Sequence, residues 1–269
     1  MKVLRILLLL ILLCIGACLA VLIRAFLLQR KRPLSELYRQ RTLESDFCPY
    51  ERIPERLRFF ILQTEDDGFF SHPGYLYQGI VDAVHLNRNA RKIVCGGSTI
   101  TQQLVKDLYF RFNHSYFRKL VELVIALRAE KTLGKKKILE LYLNIIYFGN
   151  GKYGIVDASR FYFDVDPEHL SENQMLMLAC MPHAPTAANP LKHPDIFARV
   201  RDKKLALMKR RGALSDQEIA RFSAYRVSQL DPHLRPRDAK TDSFPDMIVL
   251  INERFGSRSG WPQSPEART

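Results

Sequence analysis

Apolar residues recur at helical spacing through most of this chain of 269 residues. A short helix is predicted first, followed by longer amphipathic helices; the predicted ranges are 56–63, 101–109, 118–131, 136–146, 171–181 and 196–210. Between them we find no alternating run of apolar and polar residues that predicts a strand. Clusters of Gly, Pro and Asn predict loops at 96–97, 148–154 and 182–190. The pattern predicts a mostly α fold.

The N-terminus has a different pattern, an uncharged apolar run over residues 6–23. Together with the apolar residues 25–28, a helix of this length can cross about 30 Å of hydrocarbon. We interpret residues 1–30 as a single transmembrane anchor. The alternative is a lipoprotein signal, because small residues precede Cys18 as they do at such cleavage sites. Apolar residues continue past Cys18, which favours the anchor.

Composition divides the remaining chain into a linker, a domain and a tail. Residues 31–45 are polar and basic, which is typical of a juxtamembrane linker, and residues 46–225 are predicted to form the folded domain. Residues 226–269 end in a segment rich in Ser, Gly, Pro and Arg, which predicts a partly disordered C-terminal extension. The domain is large enough to bury its own apolar core.

The charge of the chain limits the class of partner. Its 41 Lys and Arg against 28 Asp and Glu give a net charge of +13. Such an excess favours phosphate-bearing substrates, anionic lipid head groups or nucleic acid. Basic residues also follow the apolar run, so the positive-inside rule taken literally places the domain in the cytoplasm; these residues are Arg24, Arg30, Lys31 and Arg32.

The cysteines predict neither a disulfide framework nor a structural metal site. There are five, they are scattered, and none forms the CxxC spacing of a zinc ligand pair. Two of them lie in the apolar N-terminus. At most one long-range bridge, such as Cys48 with Cys95, remains to be considered.

The segment QTEDDGFFSHPG places carboxylates at the end of an apolar helix. Glu65, Asp66 and Asp67 oppose the helix dipole there, so a simple helix stop would not favour them. A solvated acidic turn and a functional carboxylate are both compatible with this segment alone. Burial against Phe69 and Phe70 would allow a carboxylate to act as a general base near neutral pH.

A second segment, GGSTITQQLVK, has the sequence of a capped helix start. Thr99 and Gln102 form a capping-box pattern, and the free N–H groups of such a start attract phosphate oxygens. The segment also supplies donors for a polar ligand and one positive charge, from Ser98, Thr101, Gln102, Gln103 and Lys106. An ordinary capped amphipathic helix is the alternative interpretation.

A third segment, RKLVELVIALRAEK, has Glu122 within an apolar helical stretch. Glu122 can pair with Arg118 at i−4 or Lys119 at i−3, which is the ordinary explanation for such a residue. Alternatively it is the second of two carboxylates, an arrangement that glycosyl chemistry uses repeatedly.

In their order along the chain, these segments resemble the bacterial peptidoglycan glycosyltransferase family, the domain that occurs alone or fused to penicillin-binding transpeptidases. The resemblance continues through ILELYLN, which ends at Asn144, and YFGNGKYGI, and it covers roughly residues 50–210. No SxxK or KTG element of a transpeptidase follows. The chain therefore resembles the monofunctional members.

The resemblance implies a lysozyme-like, two-lobed helical domain with a head and a small membrane-associated jaw. Its activity would be polymerisation of lipid II into glycan strands with release of undecaprenyl diphosphate. Glu65 and Glu122 would be the catalytic pair, with Glu65 as the base. The implied substrate-binding residues are Asp66, His72, Ser98, Thr101, Gln102, Gln103, Lys106, His114, Arg118, Lys119 and Asn144.

The resemblance also implies a divalent cation, Mg or Mn, at the diphosphate and no organic cofactor. The expected partners are lipid II, the growing glycan chain, inner-membrane lipids and proteins of cell-wall synthesis or division, without nucleic acid. The expected location is the bacterial inner membrane, single-pass, with the domain on the extracytoplasmic side. The chain departs from the family pattern at Leu76, Asp82, Asp107, His114 and Gln174.

Two other functions remain open at this point. A lysozyme-like hydrolase or lytic transglycosylase would act on finished glycan, but it would not need the GGSTITQQ helix start with Lys106 for a lipid diphosphate. A non-catalytic scaffold that binds lipid II is the second alternative, suggested by the departures at Leu76, Asp82 and His114.

Overall fold

A computed structural model describes residues 2–77, 98–110, 116–182, 185–186 and 188–225. These residues are mostly α-helical and contain no β-strand beyond an isolated bridge between Tyr147 and Tyr153. The α-helices are α1 (Lys2–Lys31), α2 (Leu34–Thr42), α3 (Glu55–Glu65), α4 (Ile100–Tyr109), α5 (Tyr116–Ile145), α6 (Ile155–Phe163), α7 (Glu172–Cys180), α8 (Pro194–Arg210) and α9 (Asp216–Ala224). Short 3₁₀ turns lie at Tyr50–Arg52 and Pro167–His169.

The predicted mostly α class is confirmed, and each predicted helical range lies within an observed helix or overlaps one. The predicted ranges 118–131 and 136–146 are halves of α5, which bends at Gly134 (φ 73°) because a residue without a side chain adopts this backbone conformation readily. Helices α2, α6 and α9 were not predicted. The tail beyond residue 225 and Cys95 of the considered Cys48 bridge lie outside the described residues.

Helix α1 is long and apolar enough to cross a membrane by length and composition. Its side chains from Ile6 to Leu27 are largely exposed, including Leu8 at 57% and Leu13 at 61%. A row of exposed leucine and isoleucine of this length suits hydrocarbon rather than water. The helix therefore fits a single-pass membrane anchor.

The end of the anchor is joined to the domain. Val21 and Ala25 are buried, and α1 packs against α5. Beyond α1, the Arg32 guanidinium donates to the Leu108 carbonyl oxygen (3.4 Å), while the Tyr109 hydroxyl donates to the Arg32 carbonyl oxygen (2.6 Å). The C-terminal end of α4 is thus tied to the point where the chain leaves the anchor.

The segment predicted as a linker contains α2, which packs against α5. Leu34, Leu37 and Arg41 are buried on this face. Arg41, whose side chain is only 2% exposed, donates to the Asn144 carbonyl oxygen at 3.1 and 3.2 Å and pairs with Asp46 at 2.7 Å. Packing of the chain therefore begins before residue 46, the predicted start of the domain.

The core lies where α3, α4, α5, α7 and α8 meet. Helix α3 buries residues at helical spacing, Leu57, Phe60, Ile61 and Thr64, and packs against α7 and α8. The ring of Phe60 meets Phe222 of α9 edge to face, with centroids 5.5 Å apart. This packing fixes α3, and with it the residue at its C-terminal end, Glu65.

The loop between α5 and α6 requires a glycine at position 154. Its φ of +80° is disfavoured for residues with a side chain, and an added Cβ would lie 2.5 Å from the Asn144 carbonyl oxygen. That oxygen already accepts the hydrogen bonds of Arg41. We expect Gly154→Ala to lower the free energy of unfolding by about 3 kcal/mol or more, measured by thermal or denaturant unfolding.

Gly151→Ala is the matched control for this loop. Gly151 also has a positive φ (+71°), but no heavy atom lies within 4 Å of its added Cβ. Only backbone strain remains, so the expected cost is about 1 kcal/mol. Equal losses for the two variants would show that the close approach to Asn144 does not stabilise the loop.

Candidate active site

Glu65 is the last residue of α3 and its carboxylate is nearly buried, with 5% of the side chain exposed. Its Oε2 accepts a hydrogen bond from Gln103 Nε2 of α4 (3.2 Å). Its Oε1 lies 3.3 Å from the Lys204 ammonium of α8. The carboxylate is thus held between three helices by one neutral donor and one cation, which orients its oxygens.

The amide of Gln103 is oriented in turn by Tyr142 of α5. The Tyr142 hydroxyl donates to Gln103 Oε1 (3.1 Å), which leaves the amide Nε2 facing Glu65. Complete burial raises the pKa of Tyr142 well above its usual value, and the nearby Glu65 carboxylate raises it further. The hydroxyl therefore stays protonated and remains a donor.

Asp66 and His72 join the end of α3 to the start of α4. His72 Nε2 lies 2.9 and 3.0 Å from the two Asp66 carboxylate oxygens, and the Ile100 backbone N–H donates to Asp66 Oδ2 (2.9 Å). The Gly74 N–H donates to His72 Nδ1 (3.0 Å). Since Nδ1 accepts, Nε2 carries the proton and donates to Asp66. Both ring nitrogens are engaged inside the protein.

Thr99 completes the contacts that join the end of α3 to the start of α4. Its hydroxyl donates to the Gly74 carbonyl oxygen (2.7 Å). Thr99 also caps α4, since its hydroxyl accepts from the Gln102 N–H and its own N–H donates to Gln102 Oε1. The predicted capping box is confirmed. These contacts hold α3 and α4 in the register that places Gln103 beside Glu65.

A second cluster surrounds Glu122 on α5, which is 1% exposed. Its Oε1 lies 2.6 Å from the Lys119 ammonium and its Oε2 lies 3.2 Å from Arg118. Lys119 also donates to Ser98 Oγ (2.8 Å), at the entrance to α4. The carboxylate therefore orients two cations, and the cluster keeps a net positive charge suited to an anion. Lys119 is 43% exposed and within reach of solvent.

Thr101, Gln102 and Asn144 use their polar atoms inside the protein. Thr101 is fully buried and donates to the Glu130 carboxylate, while Gln102 completes the cap of α4. The Asn144 amide oxygen accepts from the Cys48 N–H, and its nitrogen donates to the carbonyl oxygens of Cys48 and Glu140. These contacts give the three residues a structural role, and their predicted substrate contacts stay a prediction.

The remaining predicted residues divide between exposed and undescribed positions. Lys106 has 45% of its side chain exposed and lies 3.5 Å from Asp107, so its ammonium is accessible to a ligand. Gln174, another departure from the family pattern, caps α7 by pairing with Ser171. His114 and Asp82 lie outside the described residues. A substrate role for His114 stays a prediction.

Sequence reasoning missed Tyr142 and Lys204. Tyr142 lies in ILELYLN among core residues, where a buried tyrosine hydroxyl needs a partner. Lys204 falls three residues after Arg201 and four before Met208, on the stripe that α8 buries with Phe197. A lysine on a buried stripe is itself a signal, because an ammonium rarely enters a core unpaired.

Comparison with known proteins shows the family of the chain. The sequence profile of the family described as Transglycosylase matches residues 30–209, which is more than half of the chain. The chain belongs to the transglycosylase family. The match includes α2 and both clusters described above, and the lysozyme-like fold class predicted from the sequence is confirmed.

The relatives of this chain fall into two groups: penicillin-binding proteins, of which it covers a small part, and transglycosylases, of which it covers most. Penicillin-binding protein 4 of Bacillus subtilis is 36% identical over 207 residues, 77% of this chain but 32% of that protein. A putative transglycosylase of Cupriavidus necator is 36% identical over 202 residues, 75% of this chain and 86% of that protein. A biosynthetic peptidoglycan transglycosylase of Aromatoleum aromaticum is 37% identical over 174 residues, covering 65% and 73%. The chain spans only 24% to 32% of the length of three penicillin-binding proteins that it matches.

Proposed function

We propose that this chain is a peptidoglycan glycosyltransferase that polymerises lipid II, with Glu65 as the general base. The observation that carries the proposal is the Glu65 carboxylate, nearly buried and held by Gln103 and Lys204 at the meeting point of α3, α4 and α8. The names of relatives that match along most of their length support the same reaction class.

In the proposed reaction, Glu65 takes the proton of the GlcNAc 4-hydroxyl of an incoming lipid II. The hydroxyl oxygen forms a bond to C1 of the MurNAc at the reducing end of the growing chain, while the bond from C1 to the diphosphate oxygen breaks. Undecaprenyl diphosphate leaves with the bonding electrons. The carboxylate must lie within hydrogen-bond reach of the attacking hydroxyl for this step.

In this proposal, the cluster around Glu122 binds the leaving diphosphate. Charge develops on the phosphate oxygens as the bond breaks, and fixed cations stabilise it as it appears. Arg118 and Lys119 are oriented for this by Glu122, and the exposed Lys106 adds a third positive charge. In this proposal Glu122 acts through its two basic partners.

The described residues around Glu122 do not fit a divalent cation site. Both Glu122 oxygens already contact a cation, Lys119 at 2.6 Å and Arg118 at 3.2 Å. No group of three or more His, Cys, Asp or Glu suited to a metal lies within the described part of the chain. Hard divalent cations prefer several oxygen ligands, so we derive no step through the Mg or Mn that the resemblance implied.

We further propose that α1 anchors the chain in the bacterial inner membrane, with the domain on the extracytoplasmic side. Basic residues after the anchor oppose this orientation, but long domains translocate largely regardless of flanking charge. A cysteine introduced at the exposed Lys203 should react with a membrane-impermeant maleimide in intact spheroplasts, above the signal of the unsubstituted chain. Labelling only after lysis would contradict this orientation.

One assay separates the proposed activity from its alternatives. The purified full-length chain is incubated in detergent with lipid II or with finished, uncrosslinked glycan, and the products are resolved by length. A polymerase lengthens lipid II into glycan strands and leaves finished glycan intact. Shortening of the finished glycan would indicate a lytic enzyme, and binding of lipid II without any product would indicate a scaffold.

A further inference from the structure

Lys204 occupies a built position beside Glu65. Its ammonium donates to the Thr64 carbonyl oxygen and lies 3.3 Å from Glu65 Oε1, and its side chain is only 14% exposed. The Thr64 carbonyl belongs to the last turn of α3, where carbonyl oxygens lack helical partners and the helix dipole favours a cation. The Thr64 carbonyl oxygen and the Glu65 carboxylate therefore both stabilise the ammonium in this position.

The end of α3 that faces Lys204 is joined to α7. The Thr64 hydroxyl, which has one proton, lies within hydrogen-bond distance of two carbonyl oxygens, those of Ala179 (2.9 Å) and Ile61 (3.1 Å), and the Ala179 contact joins the end of α3 to the end of α7. Lys204 extends from α8 into this junction between the two helix ends. The position of the ammonium is thus set by three packed helices, α3, α7 and α8.

Other ionisable groups near Glu65 have hydrogen-bond or ion-pair partners of their own or are uncharged. On the same turn, Asp66 is engaged by His72, and Asp67 pairs with Arg211 at 3.1 Å. Tyr142 of α5 stays protonated. Cys180 of α7 is fully buried, and burial raises the pKa of its thiol to about 12, so it carries no charge at neutral pH. In the described part of the chain, Lys204 is the cation within ion-pair distance of Glu65.

We propose that Lys204 is a positioning residue for the glycosyl transfer, whose ammonium holds the buried Glu65 carboxylate in the orientation that it needs as the base. This inference rests on the proposed role of Glu65. A carboxylate that is 5% exposed needs a partner for its charge, because an unpaired charge is costly inside a protein. The Lys204 ammonium at 3.3 Å is that partner, and it also fixes the oxygen that it contacts.

The test compares Lys204→Met and Lys204→Arg with Lys203→Met as the matched control. Lys203 is the adjacent residue of α8 and is exposed. For Lys204→Met we expect kcat for lipid II polymerisation to fall about tenfold or more while KM stays within about twofold, because a poorly oriented base slows the chemical step without weakening substrate binding. Lys204→Arg should restore most of the rate, and Lys203→Met should match the wild type.

A second readout does not depend on activity. Infrared spectroscopy follows the carboxylate stretching band of Glu65, assigned by its loss in Glu65→Gln. In Lys204→Met this band should shift and broaden relative to the wild type, because the ammonium no longer contacts Glu65 Oε1. If Lys204→Met unfolds, Lys204→Gln serves for the same measurement, with thermal unfolding as the check on folding.

The outcomes distinguish this inference from the proposed function. An unshifted carboxylate band and an unchanged kcat in Lys204→Met would overturn the role of Lys204, even if the chain polymerises lipid II. A shifted band in Lys204→Met, together with a wild-type chain that makes no glycan, would support the contact between Lys204 and Glu65 while contradicting the polymerase activity.

Discussion

Glu65→Gln is expected to lower the polymerisation rate by about 10²- to 10⁴-fold, the range that a positioned general base contributes. The substitution removes the proton acceptor and keeps the shape of the side chain. The amide also retains an oxygen that can face Gln103 or Lys204, so the end of α3 should stay in place. The measurement is the initial rate of glycan synthesis from lipid II, together with lipid II binding and thermal unfolding.

The matched control is Glu55→Gln, at the start of the same helix. Glu55 is exposed and lies in the first turn of α3, ten residues before Glu65. Its loss should leave the rate within about twofold of the wild type, since surface substitutions rarely change stability by more than about 0.5 kcal/mol. A Glu65→Gln enzyme that retains more than a few per cent of the wild-type rate would remove Glu65 from the role of base.

Asp66→Ala is expected to have the largest effect on stability among the site residues. The substitution removes the acceptor of the His72 Nε2–H and of the Ile100 N–H, and both donors are buried. Each donor left without a partner costs about 1 to 3 kcal/mol, so the free energy of unfolding should fall by about 3 kcal/mol or more. For a domain of this size the melting temperature should fall by roughly 6 to 12 °C.

Asp67→Ala is the control for this prediction. Asp67 is 45% exposed and pairs with Arg211, which is 34% exposed, at 3.1 Å. Exposed ion pairs contribute about 0 to 1 kcal/mol, so the melting temperature should change by no more than a few degrees. Equal destabilisation by the two variants would contradict the central place of Asp66 in joining α3 to α4.

The helices and their order could be predicted from the sequence because they depend on local periodicity. Leu57, Phe60, Ile61 and Thr64 of α3 show the spacing of a buried face directly, and α4 begins at its predicted capping box. Helix α2 could not be predicted in this way. Its buried face includes Arg41, which a hydropathy pattern counts as polar, and its partner Asn144 is 103 positions away.

The contacts of individual site residues were harder to predict than their location. Glu65 and Glu122 were selected because each is a carboxylate in an apolar context, and the ion pairs of Glu122 with Arg118 and Lys119 follow from helical spacing. The polar atoms of Thr101, Gln102 and Asn144 can form hydrogen bonds with a sugar or with the protein backbone, so the residue types alone do not show which partner is used. Only the folded chain shows that the backbone, or Glu130 in the case of Thr101, is their partner.

Lys204 shows why the environment of the base was missed. It lies 139 positions from Glu65, and nothing in the sequence of α8 links it to that carboxylate. The contact forms because α8 and α3 pack at the level of Thr64. Long-range geometry of this kind sets the orientation of a base, whereas the sequence shows only that a carboxylate and a lysine are both present.

The central claim, that Glu65 serves a glycosyl transfer from lipid II, is tested most directly by the stoichiometry of the reaction. Lipid II labelled separately in its sugar and in its lipid allows new glycosidic bonds and released undecaprenyl diphosphate to be counted in one sample. We predict that the wild-type chain releases one undecaprenyl diphosphate for each disaccharide added to a strand, and that Glu65→Gln gives neither product above background. Release of diphosphate without strand growth, or strand growth undiminished in Glu65→Gln, would contradict the proposed mechanism.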